Sequence, residues 1–385
     1  MALTKVTPTL VSDQVFGRRN VVINGSMQVA QRGTQTGLGA SSAAYGATDR
    51  FCLVTNGIAG RMTIEQSTDA PNGFGNSVKL SCTTTDTSLA AGDYLSFSTR
   101  LEGRNLQRFK KGTSDAEKFS VSFYVKANAN ATYVCELYDY DSFRHVNQTF
   151  SVTTSWTRVE LTFPADTTGA MDNDSNLSLA INIYLHAGSN FTGGTLQSTW
   201  GTGYRATGTD NFFDSTDRTL FLTGVQLEVG DNATPFEHLS LAEELALCQR
   251  YFMSTAYPNN FQATHGVGGN EMATYNTDGY WIYQGISYYA DGQAHDMYQL
   301  PVTMRATPTP TPYAPNSLVS GYTGGSTKLA AYGMTGGNEW RAADINLFSW
   351  ASTPSCCAYR VDYGVSDEDG TEGLWIGGFE FDAEI

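Results

Sequence analysis

Residues 177–186 read Leu177-Ser178-Leu179-Ala180-Ile181-Asn182-Ile183-Tyr184-Leu185-His186. Odd positions up to Leu185 are all aliphatic, and even positions are small, polar or aromatic. Successive side chains of a strand point to opposite faces, so this run predicts a strand with one face in a core. The same period appears upstream, where Phe119, Val121, Phe123 and Val125 alternate with Ser120, Ser122, Tyr124 and Lys126. Val159, Leu161 and Phe163 follow Trp156 similarly, and Phe221, Thr223, Val225, Leu227 and Val229 end the region. One apolar face per strand is the pattern of antiparallel sheets packed face to face. Turn clusters at Asp69-Ala70-Pro71-Asn72-Gly73 and Asp172-Asn173-Asp174 separate the runs. The expectation is a mainly β chain whose residues 21–238 form a jelly-roll β-sandwich.

Outward from this region the pattern changes. Residues 1–20 carry no sustained period and are expected to be an N-terminal attachment arm. Over residues 239–256 a linking α-helix is expected. Ser240 and Glu243 have the spacing of a capping box, and Leu241, Leu245, Cys248 and Phe252 recur as an apolar stripe. Leu247 and Tyr251 widen that stripe, so the helix either wedges between domains or packs against symmetry mates. Residues 257–385 are β-like and aromatic, which predicts a smaller C-terminal β-sandwich. Alternating prolines at Thr307-Pro308-Thr309-Pro310-Thr311-Pro312 mark an edge or an extended connection there, because proline gives no ladder donor.

Composition narrows the function. Only 16% of the 385 residues are charged, 12% are aromatic, and the net charge is −15. The aromatic content argues against disorder, and the negative charge argues against nucleic acid as a partner. No apolar run is long enough to span a membrane, and the N-terminus does not read as a secretory signal, so synthesis in a cytoplasm is expected. The six cysteines show no paired spacing and read as small core residues.

The search for chemistry yields little. Phosphate-loop, nucleophile-elbow and zinc-helix patterns are missing, and the five histidines share no ligand spacing. Glu136, Asp139, Asp141, Asp210, Asp214 and Asp217 cluster in sequence, which is the minimum a glycosidase needs and is equally what polar loops contain. Asp172 and Asp174 place carboxylates on alternate residues of a turn, where Ca²⁺ is conceivable; no other cofactor is expected. Tyr138, Tyr140, Trp200, Tyr204 and Phe212 lie in or beside polar, often glycine-rich segments. Aromatic faces beside acids and amides suit a sugar-binding surface, although such residues also cover sheet ends or fill interfaces.

Arg19-Asn20-Val21-Val22-Ile23-Asn24-Gly25-Ser26-Met27-Gln28-Val29-Ala30-Gln31-Arg32-Gly33-Thr34 resembles the opening of a widespread group of bacteriophage tail-fibre and virion proteins. Thr48-Asp49-Arg50-Phe51, the run Phe221–Gly230, Thr234-Pro235-Phe236-Glu237-His238 and Glu244–Phe252 resemble later blocks of that group. So do Leu300–Thr309 and the closing Phe381–Ile385. The resemblance implies a carbohydrate-binding-like jelly roll, a homotrimer and a place on a tailed phage, with no catalytic residues. The function expected is that of a structural virion protein, a tail fibre or short fibre. Its arm would attach to other phage tail or capsid proteins, and its β domains would bind host surface polysaccharide. A trimer axis is expected near Leu241, Leu245, Cys248 and Phe252. The alternatives are a capsid- or tail-decorating protein without receptor binding and a polysaccharide-degrading tailspike.

Overall fold

The run at 177–186 lies in the middle of a six-stranded antiparallel sheet. The structure, a computed structural model, describes residues 18–40, 44–254, 281–286, 293–313, 329–333, 340–347, 353–362 and 372–385. Residues 1–17, most of the expected arm, lie outside the described residues. The chain divides into two units, residues 1–245 with Ile385, and residues 246–384.

The first unit is a sandwich of two antiparallel sheets. One contains β1 (Gln35–Leu38), β4 (Arg61–Ser67), β5 (Ser77–Thr84), β7 (Phe119–Ala127), β10 (Thr157–Phe163) and β12 (Thr219–Val229), in the order β1-β4-β5-β12-β7-β10. The other contains β2 (Ala44–Tyr45), β3 (Phe51–Asn56), β6 (Tyr94–Glu102), β8 (Ala131–Asp139), β9 (Arg144–Val152) and β11 (Leu177–Ala187), in the order β2-β3-β6-β11-β8-β9. Leu179, Ile181, Ile183 and Leu185 from β11 join Phe119, Val121, Phe123 and Val125 from β7 in one buried cluster. Burying each such side chain contributes about 1.5–3 kcal/mol, so the alternation itself carries the fold.

The alternation breaks in β12. In β12 the residues in the core are Leu220, Leu222, Val225 and Leu227, whereas the period-two reading placed Phe221 and Thr223 on that face. The register shifts between Thr223 and Gln226, with Gly224 at φ +65°. A bulge inserts one extra residue and reverses the parity of the residues beyond it. Phe221 consequently faces outward, edge-on to Trp156 and beneath Lys126.

The blocks that carry the family resemblance in this unit meet in space. Val21 N donates to Leu227 O and Val225 N to Gly25 O, which adds the N-terminal segment alongside β12. Asn20 Nδ2 donates to Val225 O, while its Oδ1 accepts from Val22 N and Leu227 N. Asn24, at φ +58°, donates through Nδ2 to Val29 O and Asp49 O and accepts from Val29 N. Asp49 accepts from Gln31 N and Nε2, and Glu237 from Asn20 N. A Cβ on Gly25 would stand 2.1 Å from Val225 O, so only glycine fits there.

α1 (Ser189–Thr192) is a single turn; α2 (Leu241–Gln249) follows the sandwich. The capping box forms as expected: Glu243 N donates to Ser240 Oγ, and Ser240 N donates to Glu243 Oε2. The expected stripe is altered. Phe252 lies beyond the helix, in β13 (Phe252–Ser254), and is buried there, while Cys248 is buried and Leu241 is 51% exposed.

In the second unit the described strands are β13, β14 (Trp281–Ile286), β15 (Gln293–Gln299), β16 (Thr309–Tyr313), β17 (Leu329–Gly333), β18 (Trp340–Leu347), β19 (Cys356–Asp362) and β20 (Glu372–Asp382). They join in one antiparallel sheet, ordered β13-β20-β17-β18-β19-β15, with β14 and β16 also paired to β20. The alternating prolines fall in β16, which pairs with β20 alone among the described strands. An edge position tolerates missing donors on the open side.

Candidate functional site

The strands of the second sheet send alternate side chains away from the core, and these build a polar and aromatic face. Ser98 on β6 is opposite Asn182 on β11, which is opposite Glu136 on β8, which is opposite Asn147 on β9. Cross-strand partners on one face touch, so the four form a row. Asn182 Nδ2 donates to Glu136 Oε2 at 2.7 Å. The next row holds Arg100, Ala180, Tyr138 and His145.

Residues 188–211 fold over part of this face. Phe191, Leu196 and Ala206 pack on Val134 and Tyr184. Gln197 and Gly201 bond to the backbones of Asn147 and His145 along β9. Arg205 then reaches down to Glu136, donating through Nε and Nη2 to both carboxylate oxygens at 2.7 Å. Burial disfavours the Arg205 cation, but the Glu136 charge and hydrogen bonds outweigh that and raise its pKa. Such a forked pair is the strong geometry for a guanidinium and a carboxylate. Burial also lowers the pKa of His145, more than the Glu136 charge raises it, and its Nδ1 lies 2.9 Å from Asn147 Nδ2.

The five aromatic residues expected to contact sugar separate into two groups. Tyr138 and Tyr140 pack edge to face, 4.7 Å between ring centres, with the Arg205 guanidinium 4.3 Å from the Tyr138 centre. Both are half-buried, and burial raises both phenol pKa values. Tyr204 is 39% exposed, and its ring rests on Gly194, where a Cβ would come within 2.3 Å of it. Trp200 and Phe212 instead belong to the sandwich core, at 8% and 1% exposure. Trp200 Nε1 donates to Pro164 O, and its ring covers Lys111 Nζ. Neither presents an open ring face, because each is packed in the core cluster.

Most of the clustered carboxylates are already engaged. Glu136 holds Arg205, Asp139 holds Lys111, Asp214 holds Arg218, and Asp210 accepts from Thr132 N. Asp141 accepts from Asp172 N. In the turn considered for Ca²⁺, Asp174 accepts from Asn176 N and Asp172 is exposed. Among the described residues no group of three or more His, Cys, Asp or Glu side chains is placed to hold a metal ion. No helix among them is long and apolar enough to cross a membrane.

Phe143, missed in the sequence because it breaks no pattern there, is the most exposed large apolar side chain described, at 67%.

No protein-family model matches the chain, and no curated protein matches it. Solved structures similar to it include the bacteriophage CBA120 tailspike protein 4 enzymatically active domain, at 14% identity and a TM-score of 0.28 over 55% of this chain and 21% of that one. Another is the CBM22-1–GH10 part of a Clostridium thermocellum endo-1,4-β-D-xylanase complexed with xylohexaose, at 14% identity and a TM-score of 0.30, over 55% and 29%. A third is a family 11 carbohydrate-binding module from Clostridium thermocellum in complex with a mixed-linked tetrasaccharide, at 12% identity and a TM-score of 0.26, over 54% and 98%.

Proposed function

We propose that the chain is a non-catalytic fibre subunit of a tailed-phage particle that holds host surface polysaccharide against aromatic side chains of its jelly roll. The observation that carries the binding reading is the exposed Tyr204 ring, set on a glycine backing in the segment that covers part of the second sheet's polar face. An exposed ring with polar neighbours offers a sugar both an apolar surface and hydrogen-bonding groups. Binding rather than hydrolysis is favoured because most of the candidate acids are occupied as ion-pair or backbone partners. The place on a phage particle rests on the sequence blocks that resemble fibre proteins.

The test is binding of the purified chain to cells of the host bacterium, intact and stripped of surface polysaccharide. Wild type should bind intact cells only, and Tyr204→Ala should weaken that binding about tenfold, the loss of ~1.4 kcal/mol expected of one stacking contact. Equal binding to stripped cells would rule out the polysaccharide.

A further inference from the structure

We infer that Phe143, at the tip of the β8–β9 hairpin, is a second binding residue, a stacking platform for an uncharged sugar unit. The inference rests on the polysaccharide reading above and extends it to the loop end of the sandwich. Two independent observations carry it. The ring is 67% exposed, so folding gains little from an aromatic there. Its backbone lies at φ +55°, a conformation that a bulky L residue adopts only when its surroundings impose it. Glycine or asparagine would make the same turn with less strain.

The surroundings do impose it. Asp139 Oδ1 accepts from Asp141 N at 2.9 Å and Ser142 N at 3.2 Å, and its Oδ2 accepts from Ser142 Oγ. Beneath the turn, the side chain of Lys111 is fully buried and pairs with both Asp139 and Asp166. Lys111 Nζ also donates to Gly169 O at 2.6 Å. A fold that braces a strained turn from below, yet leaves its aromatic side chain in water, is holding that ring for something outside.

The chemistry around the ring selects the occupant. Among the described residues the other exposed large hydrophobic side chains are Tyr204 and Leu241, too few for the apolar patch that a protein partner needs. Its neighbours are hydrogen-bonding groups: Asp141 and Ser142 in the turn, and Asp172, whose N–H reaches Asp141 Oδ2 at 2.9 Å. The nearby cations are consumed, Lys111 as above and Arg144 by Asp166 at 3.0 Å. The carboxylates of Asp141 and Asp172 therefore disfavour an anionic sugar and accept hydroxyl donors. His145, two residues on, pairs with Gly201, three residues before Tyr204, which ties β9 to the segment that carries Tyr204.

The experiment compares wild type, Phe143→Ala, Phe143→Trp, Phe143→Gly and Tyr204→Ala. Binding is measured to intact host cells and, by affinity electrophoresis, to xylan, mixed-linkage β-glucan and polygalacturonate. Phe143→Ala is expected to bind about tenfold more weakly while melting no lower than wild type, and Phe143→Trp to retain binding. Phe143→Gly should melt higher, because it relieves the backbone. Polygalacturonate should bind more weakly than the uncharged polymers. Unchanged binding by Phe143→Ala, alongside a loss in Tyr204→Ala, overturns this inference and leaves the broader reading standing. Wild type that binds neither cells nor any polymer overturns both. If Phe143→Ala instead changes the oligomeric state by light scattering, the ring belongs to an interface between copies and the inference fails.

Discussion

At the scale of single residues, the motif side chains act on one another. Asn20, Asn24, Gly25, Gln31, Asp49 and Glu237 are tied by hydrogen bonds that join the N-terminal segment to β12 and to the chain leaving it. Buried polar groups with complete partners fix one register, since each missing partner costs about 1–3 kcal/mol. Glu244 extends this network, accepting from Asn24 N inside the fold. Burial pushes its carboxyl pKa above the usual 4.5, more than that hydrogen bond and the Arg18 charge lower it. A raised acid favours the protonated form in the native state, so its contribution is present below pH 4.5 and is lost as the pH rises through the raised value. Glu244→Gln keeps an oxygen for Asn24 N and carries no charge. Thermal melts should show the variant more stable than wild type at pH 7 and equal to it at about pH 4.5. A variant less stable at pH 7 would mean that the native site favours the carboxylate.

At the scale of elements, the 188–211 segment is held by one ion pair as much as by packing. Glu136 has no exposed side-chain surface, and Arg205 is its fork-shaped partner. Arg205→Ala leaves a buried carboxylate unpaired, and the expected cost is about 3–5 kcal/mol by denaturant unfolding. The pair Arg205→Met with Glu136→Gln, which removes both charges, should recover most of that. If Arg205→Ala alone costs under about 1 kcal/mol, the segment is not fastened through Glu136. The bulge in β12 acts at the same scale. By reversing parity after Gly224 it sends Val225 and Leu227 inward together with Leu220 and Leu222, and it leaves Phe221 outside on Trp156.

At the scale of the whole molecule, the boundary between the two units falls inside α2, between Leu245 and Ala246, rather than at either end of the linking segment. The described part of the second unit is one eight-stranded antiparallel sheet. Assembly is a proposal, in keeping with the fibre reading: a homotrimer by light scattering at micromolar concentration. Of the four residues expected at its axis, Cys248 and Phe252 are buried within their own chain, and Leu241 is the one with an open side chain. Leu241→Glu should therefore shift a trimer toward monomer without lowering the melting temperature of the isolated chain. Wild type that is already monomeric would remove the trimer from the proposal.

The sequence by itself determined the strands, the capped helix and the mainly β class, because these arise from local periodicity and from residues three apart. Cys52, Cys82, Cys135, Cys248 and Cys357 are buried, as their apolar neighbours implied. Tertiary structure decided which aromatic residues face water. Trp200, Tyr204 and Phe212 sit in similar polar, glycine-bearing sequence, yet two fill the core and one is open, since that depends on where residues 188–211 land on the sheet. It also decided the parity of β12, which one glycine at positive φ reverses, and the setting of Phe143, whose turn is bonded by Asp139, itself paired with a lysine twenty-eight positions earlier in the chain. Periodicity reports which face of a strand is apolar; what covers the other face is set by contacts between residues far apart in sequence.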